Sequence, residues 1–473
     1  SDWIINMRLI GGNISDTPVK EIGDGSAFSV GGGAGDPDTL TIGTPTSAAV
    51  ISGTRWGGCA LTANLTPAGY WRAAQSIQVD TRTIVRLWRE VSSNDVHLGV
   101  IQLDSDGSFS AVVAANDLSS DLGSVAAPML LRLISTSGSN DGVCRVLICA
   151  PTIASARQHR FAVYDIDASG ATTIHGAVQS KATTNDSSHN AVQGLDFVVC
   201  DEDYGIYFAL DSNSTPQAAC GVKMTTANQG FGSFVNGANG SQGSNYNPDA
   251  GYLSRTTDNR VWSGGSTIRE YWTLTEDNPP TVARTNVGTV SSNDSNASSW
   301  ATQVGQVRMP GSTVALQTTG ALVPVVDTDD GAVGYWRFQN FQAHSPVSNI
   351  KFYNITPEDW RTSRMFSSAA YPLGSGHSYD NLFAPVDYVG EWIRGVGVVQ
   401  NGTTGLHLIP INVNAKTYAI NYGVLVATTV ITPHAANTGC HLEAFYSTLG
   451  GHLNIFCDDT SGAAPSYFEV PIS

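Results

Sequence analysis

The sequence predicts an all-β protein, a seven-bladed β-propeller with an extended N-terminal arm. Three observations lead there. Charged residues are 14% of the 473, against about 25% in an average chain, and Ser, Thr, Asn and Gly stand where a helical protein carries Glu and Lys. That composition favours many short strands joined by turns. An apolar-Asp-x-x-Gly strand exit also recurs, at Leu103-Asp104-Ser105-Asp106-Gly107 and Ile166-Asp167-Ala168-Ser169-Gly170. A third copy starts at Leu210-Asp211, and weaker echoes lie around Leu274, Phe338, Ile411 and Cys457. These seven anchors are separated by 63, 44, 64, 64, 73 and 46 residues. A four-stranded propeller blade takes about 40 to 50 residues, so the excess falls in loops.

Within each unit the pattern is a hairpin. TIVRLWREV (83–91), a turn at Ser92-Ser93-Asn94-Asp95 and VHLGVIQLD (96–104) read as strand, turn, strand, with alternation and β-branched residues. The same grammar recurs in GVCRVLICAP with RFAVYDID, in DFVVCDEDYGIYFALD and NRVWSGGSTIREYWTL, and in LVPVVDTDDGAVGYWRF and WIRGVGVVQNGTTGLHLIPI. Seven small antiparallel sheets around one axis satisfy this pattern; a β-sandwich, or two in tandem, is the competing architecture. One peripheral helix is expected over 357–366, where Thr356 caps, Pro357 takes the first helical position and Glu358 and Asp359 fill the first turn.

The domain division follows from density of apolar residues. Residues 1–77 are rich in Gly, Pro and Thr and form the expected arm, with residues 78–473 as the propeller. The arm cannot bury a core of its own, yet it carries spaced anchors: Trp3, Ile5, Met7, Leu9, Phe28 and Trp56. Two placements are open. The arm ties the body to neighbouring subunits, or its strand folds back and closes the ring beside Tyr467 to Ile472.

Charge and motifs narrow the function. The net charge of −16 and the lack of any local basic run exclude direct nucleic-acid binding by counterion release. No run of eighteen apolar residues signals membrane insertion, and Ser1-Asp2-Trp3 does not open an export signal. A cytoplasmic translation product with Ser1 left after Met removal is one expectation, and a cleaved signal or tag would leave the same start.

Seven cysteines, an odd number at irregular spacing, predict free buried thiols; Cys144 and Cys149 should face opposite sides of one strand. No cofactor is expected. Ca²⁺ is the one candidate metal, at the acidic turns Asp201-Glu202-Asp203, Asp327-Thr328-Asp329-Asp330 and Asp458-Asp459, although Asp and Gly also suit hairpin turns. Gly374-Ser375-Gly376-His377 fails the G-x-S-x-G spacing, and Ser119-Ser120-Asp121-Leu122-Gly123 lacks the Trp of a sialidase repeat, since Ala126 stands there. GGGAG at 31–35 lacks the Lys and helix of a phosphate loop. Trp residues such as Trp88, Trp262, Trp272 and Trp392 fall in strand patterns and are expected between sheets.

Low charge, abundant Ser, Thr, Asn and Gly, free cysteines, the arm and the repeated β units together resemble bacteriophage virion proteins. Several tail and head-appendage proteins of that kind carry β-propellers. The resemblance implies a non-enzymatic structural subunit of the virion, made in the host cytoplasm. Its partners would be other virion subunits, reached through the arm, and host surface polysaccharide. The alternative is a carbohydrate-active enzyme or lectin on a propeller scaffold, which would need paired carboxylates or aromatic platforms facing a cleft.

Overall fold

The computed structural model describes residues 28–30, 36–47, 74–89, 95–125, 129–151, 158–182, 193–210, 218–224, 230–236, 252–255, 261–264, 268–289, 322–327, 333–342, 348–355, 364–367, 377–401, 405–414, 419–427, 441–447, 451–458 and 466–473. The chain is all-β. Among the described residues the strands fall into seven sheets, and helix is limited to Ser119–Leu122.

The sheets follow one another along the chain as antiparallel meanders. The first contains Ala74–Gln78, Thr83–Arg89, Val96–Leu103 and Phe109–Asp117. The second contains Leu130–Thr136, Cys144–Pro151, Gln158–Ile166 and Thr172–Ile174, with Gln179–Ala182 also on Gln158–Ile166. The third has Gln193–Val199, Tyr204–Leu210, Ala218–Lys223 and Val235–Asn236; the fourth has Tyr252–Arg255, Val261–Gly264, Ile268–Thr275 and Thr281–Thr289. Leu322–Asp327, Val333–Gln342, Ser348–Ile355 and Arg364–Ser367 form the fifth, with Phe28–Val30 from the N-terminal region added in parallel at its edge. His377–Val389, Trp392–Asn401, Gly405–Asn414 and Ile420–Tyr422 form the sixth, where Val426–Ala427 also pairs with Gly405–Asn414. The seventh takes only three strands from the end of the chain, His441–Ser447, His452–Asp458 and Ser466–Pro471. Its fourth is Thr46–Ser47, from the N-terminal region.

Six hairpins expected from the sequence are present as antiparallel pairs, among them Thr83–Arg89 with Val96–Leu103 and Trp392–Asn401 with Gly405–Asn414. The seven anchors fall one in each sheet, but not on equivalent strands. Leu103, Ile166 and Leu274 sit near the end of a third strand, whereas Leu210 and Cys457 end second strands. That offset makes their spacing uneven. Where the motif is complete the turns match: Gly107 donates to the Asp104 carbonyl at 2.9 Å and Gly170 to that of Asp167 at 2.8 Å. Both glycines have positive φ, 78° and 77°, which explains the residue type at the turn.

The first four sheets pack face to face in succession because alternate residues of one strand leave on opposite faces. Val146 and Ile148 join Val85, Leu98 and Leu131 in the core between the first and second sheets. Leu147 and Cys149, from the same strand, join Phe161, Phe197, Tyr207 and Val222 between the second and third. A strand buried on both faces reads as an unbroken apolar run, as VLICA does. Ile206 and Ala219 meet Trp272 and Val282 between the third and fourth sheets. Strands Val333–Gln342 and His377–Val389 bring the fifth and sixth together. The seventh touches the first, where His452 Nδ1 donates to the Asp106 carbonyl at 2.8 Å and Asn454 Nδ2 to that of Gly107 at 3.4 Å.

Two sequence expectations change. Residues 356–363 lie outside the described residues, and Arg364–Ser367 is a strand paired with Ser348–Ile355. The helix expected over 357–366 therefore cannot reach its end, because sheet pairing overrides the propensity of a capped first turn. The body also begins earlier than residue 78, since Ala74–Gln78 is already paired in the first sheet. Cys144 and Cys149 do face opposite cores, and neither is joined in a disulfide. Burial pushes the Cys144 thiol up to about 12 and raises that of Cys149 further.

Candidate functional site

Of the arm anchors, Trp3, Ile5, Met7, Leu9 and Trp56 lie outside the described residues. Phe28 opens the strand Phe28–Val30, which pairs in parallel with Val325–Asp327 of the fifth sheet. Beyond it, residues 36–47 form a strap across the sixth and seventh sheets of their own chain. Asn421 Nδ2 donates to the Asp36 carboxylate at 2.5 Å, Asn412 Nδ2 to the Pro37 carbonyl at 2.9 Å, and Arg394 Nη1 to that of Asp38 at 3.3 Å. The same Arg394 is fixed by Asp387, through Nε at 2.7 Å and Nη2 at 2.6 Å. Thr41 and Ser473 then exchange backbone bonds of 2.7 and 3.0 Å, and Gly43 donates to the Pro471 carbonyl at 2.8 Å. Thr46 and Ser47 end the strap opposite Glu469 and Phe468.

The local sequence explains the fit. In Leu40-Thr41-Ile42 the apolar residues alternate with an exposed Thr, so both point inward, at 4% and 9% exposure. They complete a core otherwise built from Val386, Val398, Leu408, Leu453, Phe468 and Ile472. Gly43 lets the backbone approach: a Cβ there would stand 3.0 Å from the Pro471 Cβ. Residues 41–47 thus take the second of the two placements open from the sequence, beside the last strand, while Phe28–Val30 lies on the fifth sheet. Backbone pairing and two buried side chains hold the strap there.

A second feature is a groove of about 460 Å³ on the second sheet, closed at one side by Glu202 of the Asp201-Glu202-Asp203 turn. Its floor is one row across four strands. The register places Ser135, Arg145, Asp165 and Thr173 opposite one another, so their side chains share a face. Arg145 Nε donates to Asp165 Oδ1 at 2.7 Å, and His175 Nδ1 lies 2.9 Å from Asp165 Oδ2. Burial works to raise the Asp165 carboxyl, but the hydrogen bonds from Arg145 and His175 outweigh it and hold the group below the usual carboxylate range. Asp165 is therefore an orienting group: one oxygen fixes the Arg145 guanidinium, which lines the groove with Ser135, Ser137 and Thr173, and the other holds the His175 imidazole. Sequence reasoning missed this cluster because three strands must be in register before the residues meet.

The remaining sequence candidates have structural roles where they are described. Asp201 Oδ1 accepts the Asp203 and Tyr204 amides, both at 2.7 Å, so this acidic turn satisfies its own backbone. Asp327 lies at a strand end, and residues 328–332 and 459 lie outside the described residues. Among the described residues no group of three or more His, Cys, Asp or Glu is placed to hold a metal ion, and no helix is long and apolar enough to cross a membrane. Ser119–Leu122 is helical rather than a sialidase-type turn. Trp88, Trp272 and Trp392 are buried, Trp272 between the third and fourth sheets and Trp88 stacked on His97 at 5.3 Å. His159 is buried as well, its Nδ1 2.5 Å from the Tyr207 hydroxyl.

No family model matches the chain, and no curated protein matches it. Among solved structures it is similar to the core factor of S. cerevisiae, at 8% identity and a TM-score of 0.46 over 93% of this chain. The chain spans 62% of the length of that structure's chain. It is also similar to a putative 6-phosphogluconolactonase from Bacteroides uniformis, with 11% identity, a TM-score of 0.39, and 74% and 83% of the two chains covered. The WD40 domain of SCAP from fission yeast aligns at 8% identity and a TM-score of 0.34, over 91% and 95%. These scores assign neither activity nor partner.

Proposed function

We propose that the seven sheets close into one β-propeller and that the chain is a structural virion subunit, in a tail, a fibre or knob, or a head appendage. Support for the ring comes from the order of the sheets, the fourth strand that the N-terminal region lends to the seventh, and the bonds from His452 and Asn454 back to the first. The subunit role rests on the spacing of apolar anchors ahead of the strap, which is the observation that carries this reading. Residues 36–47 are built into the body, and on this reading Trp3, Ile5, Met7 and Leu9, which precede the strap in the sequence and lie outside the described residues, grip a neighbour.

Two deletions test it. Removing residues 1–27 is expected to leave the melting temperature unchanged and to abolish incorporation into particles. Removing residues 1–47 is expected to lower the melting temperature by more than 5 °C, since the core loses Leu40 and Ile42. A chain lacking residues 1–27 that still enters particles overturns the anchoring role.

The groove over Arg145 and Asp165 favours a second reading, a lectin-like subunit that also holds host surface polysaccharide. Its hydroxyl and carboxylate lining suits sugar hydroxyls. In that case Arg145→Ala and Glu202→Gln lower attachment to host cells without altering particle assembly.

A further inference from the structure

The strap fits a second copy of this chain as well as it fits its own body. We propose that it is exchanged between copies when the protein is concentrated, each body receiving residues 36–47 of a neighbour. This holds whether or not the chain belongs to a particle.

The first observation is that everything gripping the strap recognises backbone or short side chains: Asn412 on the Pro37 carbonyl, Arg394 on that of Asp38, and Ser473 and Pro471 on Thr41 and Gly43. Leu40 and Ile42 supply the apolar contacts. All of these survive unchanged if the strap arrives from another molecule.

The second is the length of the connection. Residues 48–73 join Ser47 on the seventh sheet to Ala74 on the first, and those two sheets touch at His452 and Asp106. A stretch of 26 residues spans up to about 90 Å when extended. Neighbouring sheets pack only about 10 Å apart, so covalent connection does not oblige the strap to serve its own body.

Because the contacts are the same in both arrangements, only effective concentration separates them. A connection of 26 residues presents its own end at about a millimolar level. Dilute protein therefore closes on itself, whereas copies crowded to about 1 mM exchange in a comparable fraction. The strap becomes a symmetric link that needs no surface beyond the one already built.

The exposed Thr46 stands opposite Glu469, which gives a direct test. Thr46→Cys and Glu469→Cys chains, carrying different tags, are co-expressed and treated with a short bis-maleimide, with the wild-type chain as background. The double variant Thr46→Cys/Glu469→Cys is expected to link within one chain at micromolar concentration. The co-expressed single variants are expected to give a linked pair carrying both tags, at least tenfold above background in protein held near 1 mM and falling on folding at micromolar concentration. Failure of the double variant to link overturns the strap itself. An internal link without a two-tag product near 1 mM overturns exchange. Neither outcome touches the particle-incorporation test.

Discussion

The junction between the first and second sheets and that between the sixth and seventh are built from the same kinds of side chain, yet they differ in where those side chains come from. The first draws its buried residues from positions 77 to 166. The second needs Leu40 and Ile42 beside residues 384 to 472, so its closing contacts span more than 340 positions, from 42 to 384. A local junction can form as soon as its two meanders exist. A strapped junction waits for both ends of the chain, and loop closure sets that delay. Similar burial thus gives similar equilibrium stabilisation with opposite places in the order of folding.

The sharpest way to break this comparison is a pair of truncations. Leu131→Ala, at 0% exposure, and Leu40→Ala, at 4%, are each expected to cost about 2 to 5 kcal/mol. Their kinetics should separate them. Leu131→Ala slows refolding, whereas Leu40→Ala leaves refolding nearly unchanged and speeds unfolding, as measured by denaturant jumps. Equal slowing by both would show that the strap docks early.

A smaller effect separates two positive-φ glycines inside the local region. At Gly170 a Cβ would meet Ala114 Cβ at 2.8 Å and Val100 Cβ at 3.2 Å, on top of the positive φ. Gly170→Ala is expected to cost about 2 to 4 kcal/mol, combining strain with overpacking. Gly138→Ala should cost about 1 kcal/mol from the backbone alone, since a Cβ there meets nothing within 4 Å. Urea melts of the two variants decide it, and equal losses would remove the packing contribution at Gly170.

The smallest effect belongs to Asp165. Its folded pKa lies below the unfolded value of about 3.9. The stabilisation is therefore present above about pH 4 and is lost as pH falls through the folded pKa. With the side chain 43% exposed, solvent screening holds the contribution below about 1 kcal/mol. Asp165→Asn should be slightly less stable than the wild type at pH 7 and indistinguishable from it at pH 2. A difference that persists at pH 2 would mean the Asn disturbs the groove by shape rather than charge.

Much of the body was legible because hairpins advertise themselves locally. Alternation in Val96–Leu103 and the Asp-x-x-Gly turn after it are set by residues within one loop of each other. The strap was harder to read. Leu40 and Ile42 alternate correctly, but flanking Gly and Pro hide a two-residue signal whose partners lie at the other end of the chain. The Arg145, Asp165 and His175 cluster was illegible for a related reason: Arg145 and Asp165 are ordinary strand polars until register sets them side by side, and His175 follows a strand that pairs beside Asp165. The acidic turn at Asp201 shows the converse, since a conspicuous sequence feature proves to serve its own backbone.

The antiparallel run of residues 41–47 against 468–473 also has a mechanical consequence. Thr41 lies opposite Ser473, so tension applied to those two residues enters at one end of the pairing and opens its bonds one after another. Tension between Thr41 and the distant end of the strand, at Ser466, instead loads the pairs together and must shear them at once. The strap is thus a weak fastener when peeled and a strong one when pulled along its length, and the direction of load decides whether the molecule holds.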